Sequence, residues 1–176
     1  MTPAISIDIE AMSLQPTAAI ISIGAVMFDP QGDWIGDSFH IDISLQDGLR
    51  HGLTADAETI LWWIGQEGEA RHHVIIGQQD PAPLYVGLEA FCSWMPKDAE
   101  VYAKQASYDF AAIRHACGKV GLRAPWDHRA EVCMRKMLAD YTGPKLPENA
   151  GRPHHALDDA RHQARTIQAI NAWSKA

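Results

Sequence analysis

The stretch "HHALDDARHQA", His154 to Ala164, places a histidine doublet and an aspartate doublet inside a segment with the alanine and leucine spacing of a buried helix. Near the other end, "AISIDIE" (Ala4 to Glu10) alternates so that Ile5, Ile7 and Ile9 share one strand face while Ser6, Asp8 and Glu10 share the other. At about 3.3 Å per residue, the Asp8 and Glu10 backbones sit roughly 6.6 Å apart with side chains pointing the same way. Two like charges so placed repel unless a positive group joins them. A third acidic residue, Asp109 in "KQASYDFAAI", stands just after an expected strand and in the first turn of an expected helix. Carboxylates suit the holding of a hard cation, and an imidazole suits proton transfer near neutral pH.

The elements that must position these groups follow from periodicity and turn residues. "TAAIISIGAVMFD" (Thr17 to Asp29) is an apolar run rich in isoleucine, ended by the turn residues of "DPQGD". "WIGDSFHIDI" (Trp34 to Ile43) alternates again, so the first three strands form an antiparallel meander. A polar link precedes two short helices, "TADAETILWWIGQ" and "GEARHHVI". A longer helix in "PAPLYVGLEAFCSWM" carries Leu84, Leu88, Phe91 and Met95 at helical spacing.

"AEVYAK" (Ala99 to Lys104) reads as a short buried strand, and "SYDFAAIRHACGKVG" as a helix closed by glycines. "EVCMRKMLADY" begins as strand or helix, and "GPKLPENAGRP" is a loop. The last helix runs from about Ala156 to Trp173, with Ala156, Ala160, Ala164 and Ile167 forming a narrow packing stripe. Asp159 lies beside that stripe, and Asp158 favours the positive N-terminal end of the helix. Strands followed by helices interleaved with further strands indicate an α/β domain, a central mixed β-sheet flanked by helices.

The 176 residues, 47% of them hydrophobic, suffice for a sizeable core in a single domain spanning residues 1–176. Cys92, Cys117 and Cys133 are odd in number and lack a CxxC pair, so reduced thiols are expected rather than disulfides or a zinc knuckle. No apolar run reaches the roughly 20 residues a membrane-spanning helix needs, and a soluble, cytoplasmic protein is expected. The formal charge of -7 argues against a large electrostatic footprint on duplex nucleic acid.

Asp8 and Glu10 on the first strand, Asp109 at a strand-to-helix junction, and His154 with Asp159 in an H-x-x-x-x-D arrangement resemble the three motifs of the DEDDh 3′-to-5′ exonucleases. Within them, "ISIGAVMFD", "ETILWWIGQEGEAR" and "HHALDDARHQA" look most like the bacterial and phage exonucleases, including exoribonucleases, with a TIxWW helix and an HNALDDA-like motif. The resemblance covers nearly the whole chain and implies an RNase-H-like fold. It also implies two Mg²⁺ or Mn²⁺ ions, about 3.5 to 4 Å apart in such sites. Asp8 would bridge both ions, Glu10 and Asp159 would hold the one that activates water, Asp109 would support the other, and His154 would take the water's proton. His154 is preferred to His155 because only His154 makes the five-residue step to Asp159.

By the same resemblance, the substrate is a single-stranded 3′ end, RNA favoured and DNA possible, cut to nucleoside 5′-monophosphates. Ala11, Met12 and Leu14 would hold the terminal sugar and base, and Phe110 would supply a stacking face. Of Trp62 and Trp63, about 100° apart on a helix, at most one faces a given surface. A homodimer is expected from the small members of the family. Two other readings compete: an all-helical metal phosphohydrolase acting on nucleotides, suggested by the His and Asp doublets, and a binding module that keeps the fold without turnover.

Overall fold

The computed structural model of the chain describes residues 3–66, 68 and 80–175. Apart from Gly68, the helix expected in "GEARHHVI" lies outside the described residues. Three strands, β1 (Ala4–Ala11), β2 (Ile20–Phe28) and β3 (Ile35–Asp42), form the expected antiparallel meander. Two short strands, β4 (Val101–Ala103) and β5 (Glu131–Cys133), add in parallel on the other side of β1, giving the order β3-β2-β1-β4-β5. This mixed sheet excludes the all-helical phosphohydrolase.

The α-helices among the described residues are α1 (Leu45–Arg50), α2 (Ala57–Ile64), α3 (Leu84–Trp94), α4 (Ala106–Lys119), α5 (Met134–Asp140) and α6 (Ala156–Trp173). The expected polar link proves to contain α1, which Ser44 caps by accepting a hydrogen bond from the Asp47 amide. "EVCMRKMLADY" divides into β5 and then α5, with Cys133 as the hinge between strand and helix.

The sheet is covered on both faces, which makes three layers. Ile5, Ile7, Ile9, Ile21 and Ile23 pack with Leu84, Leu88 and Phe91 of α3 and Phe110 and Ile113 of α4. On the other face Ala4, Val26 and Phe28 pack against Ala160, Ala164 and Ile167 of α6. All four members of the predicted α6 stripe are fully buried. The strand face bearing Ser6, Asp8 and Glu10 therefore points under α6 rather than into open solvent. No described helix is long and apolar enough to cross a membrane.

Candidate active site

Gly24 explains how α6 comes so close to the acidic strand. It pairs directly with Asp8 across the β1–β2 ladder. A Cβ there would lie 2.1 Å from the carbonyl carbon of Ala156 and the amide nitrogen of Leu157, so only glycine admits the helix start. The chain enters that start through His154, whose left-handed φ of 56° turns the loop sharply into the helix.

The result is one cleft of about 540 Å³ lined by Asp8 and Glu10 of β1, Asp109 of α4, Asp159 of α6 and His154 of the preceding loop. Donor atoms of Glu10, His154 and Asp159 all lie within 4.8 Å of one another. Gln163 Nε2 donates to Asp8 Oδ1 at 2.7 Å, and Asn149 Nδ2 donates to Asp159 Oδ1 at 2.7 Å. The His154 ring meets two tryptophan rings edge to face, Trp62 at 5.0 Å and Trp63 at 5.7 Å between centroids.

Burial, reinforced by Glu10, Asp109 and Asp159, raises the Asp8 carboxyl well above the usual carboxylate range. Burial first, then Asp159 and Asp109, pushes Glu10 up to about 8. Asp109 is pushed up to about 7 by burial, against backbone amides and Arg135 that favour its ionised form. Burial also raises Asp159, although His154 and Asn149 pull it down. Four acids that resist ionising together form a site whose electrostatics a divalent cation would complete. The oxygen-rich donor set fits a hard cation of the Mg²⁺ or Mn²⁺ kind.

His155 has a different position. It is buried, it caps α6 by accepting from the Asp158 amide at 3.3 Å, and its Nε2 lies 2.8 Å from Arg152 Nη2. Its ring stacks on His40 at 4.6 Å. Asp158, expected to serve the helix N-terminus, does stand in the first turn and also pairs with Arg152 at 2.9 Å. Burial alone would raise its pKa, but Arg152 and neighbouring charges bring it below the ordinary value. Both residues thus belong to the helix entry.

Two expected substrate contacts are corrected. Phe110 is fully buried and packs at 5.5 Å against Trp126, so it has no face for a base. Burying such a ring is worth roughly 1.5 to 3 kcal/mol, about what stacking one base would return, so swinging it outward gains nothing. Met12 is likewise in the core, with its amide donating to Ala19 O and its carbonyl accepting from Asp56 N.

Ala11 and Leu14 instead line a second cleft of about 580 Å³, with Asp56, Trp62, Trp63 and Tyr108. Leu14 is 76% exposed there. Trp63 is buried with Nε1 donating to Ala11 O at 3.1 Å, whereas Trp62 is 47% exposed, so the doublet divides between core and cleft. Gln163 and Tyr108 were the residues missed. Gln163 stands one turn beyond Asp159, a spacing that marks the same helix face, while Tyr108, which donates to Ser13 O at 2.5 Å, carries no such signal.

Solved structures share this architecture. Cell-death related nuclease 4 (CRN-4) superposes with a TM-score of 0.67 at 16% identity over 98% of this chain and 64% of that one. The nuclease domain of 3′hExo, described as a DEDDh family member bound to rAMP, gives 0.64 at 17% over 99% and 92%. E. coli Exonuclease I in complex with a dT13 oligonucleotide gives 0.68 at 12% over 97% and 41%. The chain thus spans less than two thirds of CRN-4 and of Exonuclease I, and at these identities the likeness is one of fold. No curated protein matches the chain in sequence.

The class that the fold defines is the mixed five-stranded sheet flanked by helices that these nuclease structures share. Residues 3–171 match the Rv2179c-like 3′-5′ exoribonuclease domain, and the chain belongs to that family.

Proposed function

We propose that the chain is a divalent-metal-dependent exonuclease that removes nucleoside 5′-monophosphates from single-stranded 3′ ends, with RNA preferred. The observation that carries this reading is the convergence of Asp8, Glu10, Asp109, His154 and Asp159 on one cleft. The preference for RNA rests on the family's description as an exoribonuclease domain.

Two Mg²⁺ or Mn²⁺ ions held by Asp8, Glu10, Asp109 and Asp159 would supply charge neutralisation at the phosphate and a more acidic water. The protein's own groups do the rest. His154 accepts the proton of the attacking water, and its place beside Glu10 and Asp159 keeps it at the nucleophile's side of the cleft. Gln163 orients Asp8 and Asn149 orients Asp159, so neither carboxylate has to be arranged during the reaction. The water oxygen bonds to phosphorus as the P–O3′ bond breaks, and the departing O3′ takes a proton from solvent, leaving a strand shortened by one residue with a free 3′-hydroxyl.

The terminal nucleoside occupies the second cleft, which adjoins the first at Ile9, Glu10 and Tyr108. There Leu14 and Trp62 flank its base, and Ala11 approaches its sugar. The binding-module reading has no support in a site whose ligands are all present.

The test is product analysis of 5′-labelled single-stranded RNA and DNA of one sequence with Mn²⁺, with EDTA, and with Asp8→Ala. Stepwise shortening from the 3′ end, lost in EDTA and in the variant, is expected, faster on RNA. Intact substrates throughout would refute the activity, and faster loss of DNA would reverse the sugar preference.

A further inference from the structure

The chain has 15 lysines and arginines against 22 acidic residues, yet some of those cations stand beside the site. Lys104, Arg135 and His162 line the carboxylate cleft. His162 is shared with a neighbouring hollow of about 180 Å³ that also includes Arg161 and Arg165. Arg161 is occupied by Asp158 and Ser38. Lys104, Arg135 and Arg165 are exposed, and none of the three makes a salt bridge among the described residues.

The far side of Glu10 is different. The described lining of the second cleft has Asp56 and Glu58 beside Leu14, Trp62 and Trp63, with no lysine or arginine. The carboxylates therefore stand between an aromatic cleft without a described lysine or arginine and a side on which Lys104, Arg135 and Arg165 are found, Arg165 in a hollow that also holds Glu148 and Asp158. A strand cut at its 3′ end has that asymmetry itself: the terminal nucleoside has no further phosphate beyond it, while the other side of the scissile bond continues as a run of phosphates.

Resting on the exonuclease reading above, we infer that the incoming strand crosses Lys104 and Arg135 and continues past His162 to Arg165, which binds a backbone phosphate upstream of the scissile one. A dinucleotide has a single phosphodiester, which the carboxylate cleft uses. Arg165 then acts only on longer strands and gives the enzyme a length preference for oligonucleotides over dinucleotides.

The experiment measures kcat/KM with Mn²⁺ between 50 and 200 mM salt, a window in which phosphate contacts are titrated. The substrates are a diribonucleotide and an octaribonucleotide of matching 3′ sequence, both with a 5′-hydroxyl and followed by chromatography of the released mononucleotide, cut by the wild type, Arg165→Glu, Arg165→Ala and Arg165→Lys. Arg165→Glu is expected to slow octamer turnover and spare the dimer, and Arg165→Lys to restore the octamer. Loss of one phosphate contact in Arg165→Ala should flatten the octamer's log–log salt slope by about 0.7. Equal losses on both lengths, or octamer turnover untouched by Arg165→Glu, would overturn the phosphate track while leaving the exonuclease activity standing. A wild type that cuts neither substrate would overturn both.

Discussion

Gly24 and Asp8 face each other across the first two strands, and the space left by the missing side chain of the one is filled by the helix that brings Asp159 to the other. Gly24→Ala is expected to push the start of α6 away from β1. A methyl 2.1 Å from backbone atoms has no flexible neighbour to yield to it, so a destabilisation at or above the usual 1–3 kcal/mol of overpacking follows. Activity should fall further than stability, because His154 and Asp159 move while Asp8 and Glu10 do not. A thermal melt and a turnover assay at a temperature where the variant is folded separate the two effects; unchanged activity would contradict this placement of α6.

The acidic cluster makes the metal-free protein sensitive to pH in a defined direction. Glu10 rises from 4.5 to about 8 and Asp109 from 3.8 to about 7 on folding, so the folded state binds more protons than the unfolded one across that interval. Their contribution to stability is complete below the ordinary carboxylate values and is lost as pH rises towards 8. In EDTA the melting temperature should be highest near pH 5 and decline to pH 8, at about 2–4 °C per kcal/mol for a domain of this size. Glu10→Gln should flatten the decline, and Mn²⁺ should restore stability at pH 8. A melting temperature that climbs over this range in EDTA would refute the electrostatic account.

His154 and His155 should separate cleanly on substitution. His154→Asn, which keeps a residue tolerant of positive φ, removes the proton acceptor and should lower kcat by about 10² to 10⁴ with little change in melting temperature. His155→Ala removes a helix cap, worth about 0.5 to 2 kcal/mol, and should chiefly lower the melting temperature. Loss of turnover in folded His155→Ala together with an active His154→Asn would transfer the base to His155.

Leu14 and Trp62 test the terminal-nucleoside cleft. Leu14 is 76% exposed, so Leu14→Ala should leave stability intact while raising KM more than it lowers kcat. Trp62→Ala should raise KM by a factor corresponding to about 1 to 3 kcal/mol of lost base stacking. It should also lower kcat, since its ring abuts His154. Equal KM values for both variants and the wild type would remove the base from this cleft.

Much of this arrangement was legible in the sequence because it depends on local period. The alternation of Ile5, Ile7 and Ile9 marked β1, and the stripe from Ala156 to Ile167 marked α6 to its observed ends. The acidic residues that share the cleft stood out by type and order. What was hidden depended on the third dimension. Phe110 adjoins Asp109 in sequence, but neighbouring helical positions diverge by about 100°, which sends one to the cleft and the other to the core. The short α1 was hidden by polar residues whose helical state depends on the Ser44 cap and on Asp47 holding the Leu84 amide, 37 positions away. A net charge of -7 concealed the gathering of Lys104, Arg135 and Arg165, because a sum has no address.

Asp8 and Glu10 belong to the first strand, whereas His154 and Asp159 belong to the entry of the last helix. During synthesis the first pair leaves the ribosome before the second, and a domain folds as a unit. A half-made chain therefore carries Asp8 and Glu10 without His154 and Asp159, so its two acids have no cleft around them. The candidate site is assembled only when α6 joins the sheet.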